Sequence, residues 1–471
     1  MDPSSSAQKP IPSDSQLMPD PERPASAAPT EEQLETQTPG GSKVEGHDPY
    51  AALRISGFRL YVIGWVASVI GQQVQSVAVQ WQIAQRVGMQ HEAMALGLVG
   101  GIQALPIILL ALPAGHLADR FDRRRVIQIG QVVVALCSLG LAAASHWNGS
   151  IYWFYLLLGL SATGEAIGWP ARSALLPQIV PAEEFANAAT WNSSAFQVAS
   201  VAGPAVGGLI IYFSQTAAYM LDAVCAVTFF SLLLLLSVEA QVRTKEPISI
   251  SNLVAGVRFV WRTKVILGAI TLDLFAVLLG GATYLLPIFA ADILHVGSFG
   301  FGWLRAAPAI GAFIMAMLLA HAPPMKRAGA TMLWSVAGFG LATVVFAYSR
   351  SFTLSLIAFG LTGAFDNISV VVRHTLVQML PPDRMRGRVS AVNNVFIGAS
   401  NEIGGLESGL AAWGFARLLG PMSGAIASVA FGGFGAIVVV IVVAMFFPDI
   451  RRFGSLRDAR PIEDDASPAA A

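Results

Sequence analysis

Twelve long apolar runs follow one another along this chain, and they constrain its fold more than any other feature. Each run is close to the roughly 20 residues that an α-helix needs to cross the hydrocarbon core of a bilayer. Because no water reaches that core, a spanning segment has to satisfy its backbone polar groups internally, as a helix does. The sequence therefore predicts an all-α integral membrane protein with twelve transmembrane helices. The predicted spans are residues 58–82, 93–113, 126–145, 151–170, 191–213, 217–238, 265–294, 300–320, 330–348, 352–372, 390–419 and 423–447.

The composition agrees with this class and narrows the range of functions. Charged residues make up 12% of the chain, whereas a soluble domain carries about 25%. The formal net charge of zero offers no basic surface for nucleic acid. Cys137 and Cys225 lie in separate apolar runs, which predicts buried thiols rather than a disulfide or a metal site. The sequence shows no phosphate-binding loop and no nucleophile–base pair, so it favours neither an enzyme nor an ATP-driven pump and predicts no cofactor.

The spans form two groups of six, which predicts two parallel helical bundles at residues 51–238 and 265–448. Residues 1–50 are rich in Pro, Ser, Ala, Glu and Gln, and they lack an apolar run after a basic start. They predict a disordered tail rather than a signal peptide. A polar linker, 239–264, separates the bundles, and its residues 250–261 could form an amphipathic helix. A basic tail, 449–471, ends the chain.

The cations are distributed unevenly between the two sides of the predicted bundles. If the N-terminus is cytoplasmic, the inner loops and the C-terminal tail hold twenty Lys and Arg residues, and the outer loops hold only Arg86, Arg350 and Arg417. Loops rich in Lys and Arg stay on the cytoplasmic side of a membrane. This distribution predicts that both termini are cytoplasmic. We further expect a monomer in the inner (plasma) membrane of a bacterial cell.

A shift of 201 residues aligns parts of the two halves and indicates an internal duplication. The matches run from the fourth span into the fifth, and from the tenth into the eleventh. They include Arg172 with Arg373, Leu175 with Leu376, Pro181 with Pro382, Asn192 with Asn393, Gly203 with Gly404 and Gly208 with Gly409. Two parallel repeats related by an axis along the membrane normal place a substrate path between the halves.

Residues 115–125 form a short charged stretch between the second and third spans. Its charges cannot enter lipid, so we expect a tight loop at the cytoplasmic face, with Asp119 capping a neighbouring helix N-terminus. The pattern G-x-L-A-D-R-x-D-R-R-R resembles the loop between helices 2 and 3 of major facilitator superfamily transporters. The residues to which we assign a gating role here are Gly115, Asp119, Arg120, Arg123 and Arg124.

Three further stretches resemble the branch of that superfamily that includes the enterobactin exporter and putative drug exporters. They are residues 171–177 with 186–188, residues 256–261, and residues 386–389 with 399–402. The resemblance implies twelve helices, alternating access and proton-driven export of a small amphipathic molecule, siderophore-like or drug-like. A run in the fifth span resembles the antiporter motif of drug/proton exchangers and predicts a helix bend at Gly203, Pro204, Gly207 and Gly208.

Two acid–arginine pairs lie at the cytoplasmic ends of the fourth and tenth spans. Glu165 and Arg172 are seven residues apart and share a helix face, as do Asp366 and Arg373. The spacing resembles the charge network of sugar porters and predicts an inner gate that pairs with the Asp119 loop when the cytoplasmic side is shut. The alternative is static stabilisation of the helix ends.

The eleventh span is the most polar one and supplies candidates for proton coupling. At 100° per residue, Asn394, Asn401 and Glu407 fall on one polar arc that also holds Asn393, Ser400 and Ser408. Glu407 is expected to face an aqueous cavity and to bind and release a proton. Glu402 falls outside the arc, beside glycines, and is expected at a close helix contact, near the gate loop. The coupling candidates are Glu407, Glu402 and Asp273; the alternative is a hydrogen-bonded acid that only orders the helix.

Several glutamines in the first three spans could line a water-accessible path without the cost of a charge. The candidates for the substrate cavity are Gln72, Gln73, Gln75, Gln103, Asn394 and Asn401. Interhelical hydrogen bonds could explain any one of these amides equally well.

Three functions remain open from the sequence: a proton-coupled exporter, an uptake porter or uncoupled facilitator, and a non-transporting membrane scaffold. Polar residues in the middle of the first and eleventh spans argue against a scaffold, which has no need of water at its centre. The expected partners are the lipid bilayer and a small-molecule substrate, with a proton gradient as the energy source.

Overall fold

The structure, a computed structural model, describes residues 48–236, 250–323 and 325–455. Within these ranges the chain is almost entirely helical and holds no β-strand. Ten helical segments are long and apolar enough to cross a membrane. The helices that hold the predicted fourth and eleventh spans, 29 and 37 residues long, are not among these ten. The prediction of an all-α membrane fold is confirmed.

The helices of the first half carry the six predicted spans of the first bundle. We number them in chain order: α1 Ser56–Arg86, α2 Met89–Arg120, α3 Arg123–His146, α4 Ile151–Ile179, α5 Phe185–Phe213 and α6 Gln215–Leu234.

The second half repeats the arrangement after a linker helix, Ile250–Arg262. Its helices are α7 Lys264–Leu279, α8 Gly297–His321, α9 Ala328–Tyr348, α10 Phe352–Met379, α11 Asp383–Leu419 and α12 Pro421–Phe446. Residues 1–47 of the predicted N-terminal tail, residues 456–471 of the predicted C-terminal tail, and residues 237–249 at the start of the linker region lie outside the described residues.

The predicted loop at residues 115–125 is mostly helical instead. Helix α2 continues through Gly115 and Asp119 to Arg120, and only Phe121 and Asp122 separate it from α3. The backbone N–H of Phe121 still bonds to the carbonyl of Leu117 at 2.9 Å, because nothing in the charged sequence stops the helix before that point. The polar segment 171–190 is likewise mostly helical, since α4 runs to Ile179 and α5 starts at Phe185.

The two faces of the molecule differ in how the halves meet. We call the face with Phe121 and Asp122 the motif face and the other, where α3 ends at His146, the distal face. At the distal face, one apolar core contains residues from both halves, among them Val77 and Phe301. At the motif face, each half has a core of its own, one around Phe58 and one around Met332. The halves are therefore joined at the distal face and separate at the motif face.

Glycines allow the halves to approach closely in the joined region. A Cβ added to Gly208 of α5 would lie 2.6 Å from the carbonyl oxygen of Ser298 and 2.7 Å from Cα of Gly302, both at the start of α8. A Cβ on Gly97 of α2 would lie 2.8 Å from Cα of Gly409 in α11. Backbones this close leave no room for side chains, as is usual where membrane helices pack tightly.

Helix α7 is interrupted where it enters the joined region. After Leu279, the chain continues through Gly280 and Gly281 into a 3₁₀ turn, Ala282–Leu285, and ends in a π-helical turn, Phe289–Ile293. A Cβ on Gly281 would lie 2.5 Å from the Ser408 hydroxyl of α11, so the break brings two backbones together. Interruptions of this kind mark functional regions of transporter helices.

A bulky side chain at Gly208 should open the distal face. Gly208→Val forces overpacking that costs about 2 kcal/mol, which corresponds to roughly a thirtyfold shift in the closed-to-open equilibrium. The measurement is the rate at which a membrane-impermeant maleimide labels Ser298→Cys, in a background without Cys137 and Cys225. Ser298 is 7% exposed in the closed arrangement, so faster labelling reports opening.

Gly414→Val serves as the matched control, because no heavy atom lies within 4 Å of a Cβ there. It should leave the labelling rate unchanged. Equal rates for the two valine variants would contradict the assignment of Gly208 to the closure between the halves.

Candidate functional site

A polar cluster joins the two halves just beneath the distal closure. The hydroxyl of Tyr284, which follows the break in α7, hydrogen-bonds the Glu402 carboxylate of α11. The same hydroxyl lies 3.1 Å from Oε1 of Gln103 on α2, in the other half. Arg305 of α8 is close enough to interact electrostatically with both Tyr284 and Glu402. Four helices from both halves therefore contribute to one site.

The fold positions Tyr284 through two glycine contacts. The break at Gly280 and Gly281 allows the end of α7 to approach α11, and Gly405 of α11 lies against the Tyr284 ring. A Cβ on Gly405 would come within 2.8 Å of ring atom Cγ, so only glycine fits there. Tyr284 is 6% exposed, and its ring fills the space between α11 and the distal core.

The two glutamates of α11 have different surroundings. Glu402 lies at the contact with α2, where a Cβ on Gly100 would be 2.6 Å from the Glu402 carbonyl oxygen, so the predicted close helix contact is present. It is not near the gate loop: 16 residues of helix, about 24 Å, separate Gln103 from Asp119. Glu407 is half-buried, and its described hydrogen bond is with its neighbour Ser408, at 3.4 Å.

The two predicted cavity asparagines lie on the same exposed side of α11. Asn394 and Asn401 are both exposed, and their positions differ by about 20° around the helix. Asn401 precedes Glu402, so this polar side adjoins the central cluster. Asn401 Nδ2 donates to the carbonyl of Ile397 in its own helix at 2.9 Å.

The α1 glutamines divide into two groups. Three pairs of α1 and α3 side chains share a sequence offset of 63 residues: Ser68 with Gln131 at 3.3 Å, Gln75 with Ser138 at 2.8 Å, and Gln82 with Ser145 at 2.9 Å. Gln75 is 5% exposed, which favours the interhelical hydrogen-bond interpretation for that residue. Gln72 and Gln73 are half-buried and remain candidates for the cavity.

Asp222 of α6 is the acid at the centre of this hydrogen-bond ladder, and the sequence assigns it no role. It is 1% exposed, and Ser138 donates to its Oδ2 at 2.5 Å. Ser138 in turn accepts from Gln75, so a chain of three side chains links α1, α3 and α6. This network lies inside the first half, away from the interface between halves.

The two repeat-related arginines are held in different ways. Nη2 of Arg172 bonds Oε2 of Glu165 at 2.6 Å, as the spacing predicts, and its guanidinium lies 4.7 Å from the ring of Trp65 and 5.7 Å from that of Trp169. Arg373 forms an ion pair with Asp273 of α7 rather than with Asp366, which shares its face of α10.

The length of the acidic side chain explains the difference. Two helical turns separate the members of each pair by about 10.5 Å along the axis. Glu165 and Arg172 together bridge that distance. The side chain of Asp366 is one methylene shorter than that of Glu165, and Arg373 does not pair with it. The Arg373 guanidinium is 2% exposed and needs a partner, and it finds one on the neighbouring helix.

Arginines at the start of α3 connect it to the ends of α4 and α6 within the first half. Arg123 donates to the Ala174 carbonyl of α4 at 2.7 Å, and Arg124 donates to the Leu236 carbonyl after α6 at 2.6 Å. Asp122, rather than the predicted Asp119, caps α3 by accepting from the Arg124 N–H at 2.9 Å. Asp119 lies in the last turn of α2, whose own C-terminus is not stabilised by a negative charge.

Of the predicted bend residues of α5, Pro204 and Gly208 lie at the contact between halves, and Gly203 and Gly207 lie against α1 of the same half. The backbone carbonyl of Pro204 lies 2.6 Å from the position of a Cβ on Gly302, and Gly207 packs against α1 at Val74. Gly203 approaches the Gln73 side chain. These contacts show that the run provides close helix packing both within the first half and at the distal closure; the helix bend stays a prediction.

Comparisons with known proteins identify relatives over nearly the whole chain. The family model described as "Major Facilitator Superfamily" matches residues 61–405. The enterobactin exporter EntS of Citrobacter koseri is 27% identical over 430 residues, covering 90% of this chain and 97% of that protein. EntS of Escherichia coli O81 is 26% identical over 417 residues, covering 88% and 95%.

Solved structures share the fold at low identity. A bacterial homologue of the human lysosomal transporter Spinster, inward-facing and unoccupied, has a TM-score of 0.63 at 15% identity and covers 84% of this chain and 96% of its own. A D-xylose–proton symporter has a TM-score of 0.62 at 14% identity and covers 85% and 98%.

The ion pair between Arg373 and Asp273 predicts an order of effects on stability. Asp273→Asn leaves a buried guanidinium without its partner and should cost about 3 kcal/mol of unfolding free energy. Asp366→Asn should cost less than about 1 kcal/mol, because that carboxylate is not the partner. Thermal unfolding of the purified protein in detergent measures both.

The double variant Asp273→Leu with Arg373→Met removes both charges together and should be close to neutral. A larger loss for Asp366→Asn than for Asp273→Asn would contradict the pairing described here.

Proposed function

The chain belongs to the major facilitator superfamily, and we propose that it exports a small amphipathic molecule in exchange for protons. Members of this family are multi-pass membrane transporters and not enzymes, so the expectation of a transporter is confirmed. Export, proton coupling, the inner membrane and cytoplasmic termini are parts of the proposal. The relatives described above are enterobactin exporters, which supports export as the direction of transport.

The observation that carries the proposal is the contact among Glu402, Tyr284 and Gln103 across the two halves. A titratable acid in this position can influence whether the halves close. The polar side of α11 with Asn394 and Asn401, together with Gln72 and Gln73, supplies a site for substrate next to that acid.

A tyrosine hydroxyl has only one proton, and this links the charge of Glu402 to the contact between halves. When Glu402 is ionised, Tyr284 donates its proton to the carboxylate. When Glu402 is protonated, its own O–H can donate to Tyr284, and the tyrosine proton is then free for Gln103 Oε1. Protonation therefore strengthens the bond across the halves and favours the closed distal face.

This sense of coupling suits an exporter. A proton that enters from the distal side returns the protein to the arrangement that is open at the motif face. Loss of that proton on the motif side weakens the closure, so that bound substrate can be carried to the distal side. We assign the motif face to the cytoplasm because the basic connections lie there.

The charged residues of the motif face form the inner gate in this proposal. In the arrangement described, Arg172 and Arg373 are engaged within their own halves, as an open gate requires. Closing the motif face brings Asp119 and Arg120 toward the second half, and the contacts formed there bias the equilibrium between the two arrangements.

Replacing Glu402 should remove the pH dependence of the distal closure. With Glu402 intact, labelling of Ser298→Cys, expressed relative to a fully exposed cysteine at the same pH because the thiolate is the reacting species, should be slower at low pH than at high pH, because protonation favours closure. Glu402→Gln resembles the protonated acid and should label slowly at both pH values. Glu407→Gln is the control and should keep the wild-type dependence.

Transport in proteoliposomes separates this function from a facilitator or an uptake porter. The substrate is first identified by a growth screen of a deletion strain against dyes, antibiotics and iron limitation. If the wild-type protein moves that substrate at the same rate with and without a pH gradient, proton coupling is excluded. In the labelling experiment, the same pH dependence with Glu402→Gln as with Glu402 intact would also exclude it.

Asp119→Asn should weaken the inner gate without preventing membrane insertion. A less stable closure at the motif face leaves more molecules closed at the distal face, so Ser298→Cys should label more slowly and transport should fall. Glu183→Gln, at an exposed acid on the same face, is the matched control. Wild-type labelling and transport by Asp119→Asn would count against the gate.

A further inference from the structure

We propose that the outer side of the linker helix, Ile250–Arg262, is a binding surface for anionic phospholipid headgroups. The proposal is independent of the substrate and of proton coupling. Its residues are Val254, Arg258, Trp261 and Arg262, together with Lys264 at the start of α7.

The linker helix has one side packed on the protein and one side free of it. A Cβ on Gly256 would lie 2.8 Å from the Arg388 carbonyl oxygen of α11, and Val260 is 4% exposed in the apolar core of the second half. On the other side, Trp261 is 69% exposed and Val254 is 48% exposed. Since seven residues separate them, these two apolar side chains lie almost directly above one another on the helix.

The same outer side carries the cations. Arg258 and Arg262 fall within about 100° of Val254 and Trp261 around the helix, and both are exposed. Lys264 is also exposed, and only Thr263 separates the linker helix from the membrane-spanning α7. Among the described residues, none of these three cations has an ion pair with an acidic side chain.

This position and chemistry fit the surface of a bilayer. The helix ends where the chain enters the membrane, so Trp261 lies at the level where tryptophan prefers to reside, between headgroups and acyl chains. An exposed aromatic side chain beside three exposed cations matches a negatively charged headgroup with an apolar tail. A soluble anion would satisfy the cations and leave Trp261 and Val254 in water.

Quenching of Trp261 by brominated lipids tests the proposal. The full-length protein is reconstituted in phosphatidylcholine vesicles that contain equal fractions of brominated phosphatidylglycerol or brominated phosphatidylcholine. The brominated phosphatidylglycerol should quench the tryptophan fluorescence more strongly, and Trp261→Phe should abolish the difference. The triple variant Arg258→Gln, Arg262→Gln, Lys264→Gln should weaken the apparent affinity for phosphatidylglycerol at least roughly tenfold.

A second triple variant has the same change in charge elsewhere on the motif face: Lys326→Gln, Arg327→Gln, Arg451→Gln, all at exposed positions. It should keep the wild-type preference, and soluble glycerol phosphate should not compete. Equal quenching by the two lipids in wild type, an equal loss in both triple variants, or a difference that survives in Trp261→Phe would overturn the proposal. Displacement by glycerol phosphate would overturn it too, by showing a site for free anions.

Discussion

Close backbone packing between the halves at the distal face is the constraint on which the rest of the structure depends. Gly208 against Gly302, and Gly97 against Gly409, let helices of opposite halves meet without intervening side chains. In a bilayer, apolar side chains gain little by leaving lipid for protein, so this packing provides much of the attraction between helices. The apolar core at the distal face is continuous because of these contacts, and each half keeps a separate core at the motif face.

The polar side chains follow the same division. Gln75, Ser138 and Asp222, which link three helices of the first half, are buried and hydrogen-bonded to one another. The boundary between the halves is different. There the single hydroxyl proton of Tyr284 faces two acceptors, Gln103 Oε1 and the Glu402 carboxylate, and it can bond only one of them at a time. A network with a surplus of acceptors can rearrange when one proton is added, whereas a satisfied network resists change.

The sequence predicts the fold well because the bilayer allows few solutions. Runs of about twenty apolar residues have to be helices, and the 201-residue repeat indicates two halves. Helix ends at charged segments were harder to place, since Gly115–Arg120 is polar and still helical. A helical projection placed Glu402 at a helix contact but could not show which helix it meets. Tyr284 was not predicted at all, although the preceding Gly280 and Gly281 signal an interrupted helix, because partners across the two halves leave no trace in local spacing.

The ladder between α1 and α3 has a consequence for how the protein is made. Its three rungs recur every seven residues along both helices and all belong to the first half. A nascent α1 carrying Gln75 and Gln82 is poorly suited to remain alone in lipid, since each amide would lack a partner. Synthesis of α3, and then of α6 with Asp222, supplies those partners before any of the second half has left the ribosome. The first six helices can thus assemble before the others. The helices of the second half then pack against a first half in which the alignment of α1 and α3 is already fixed.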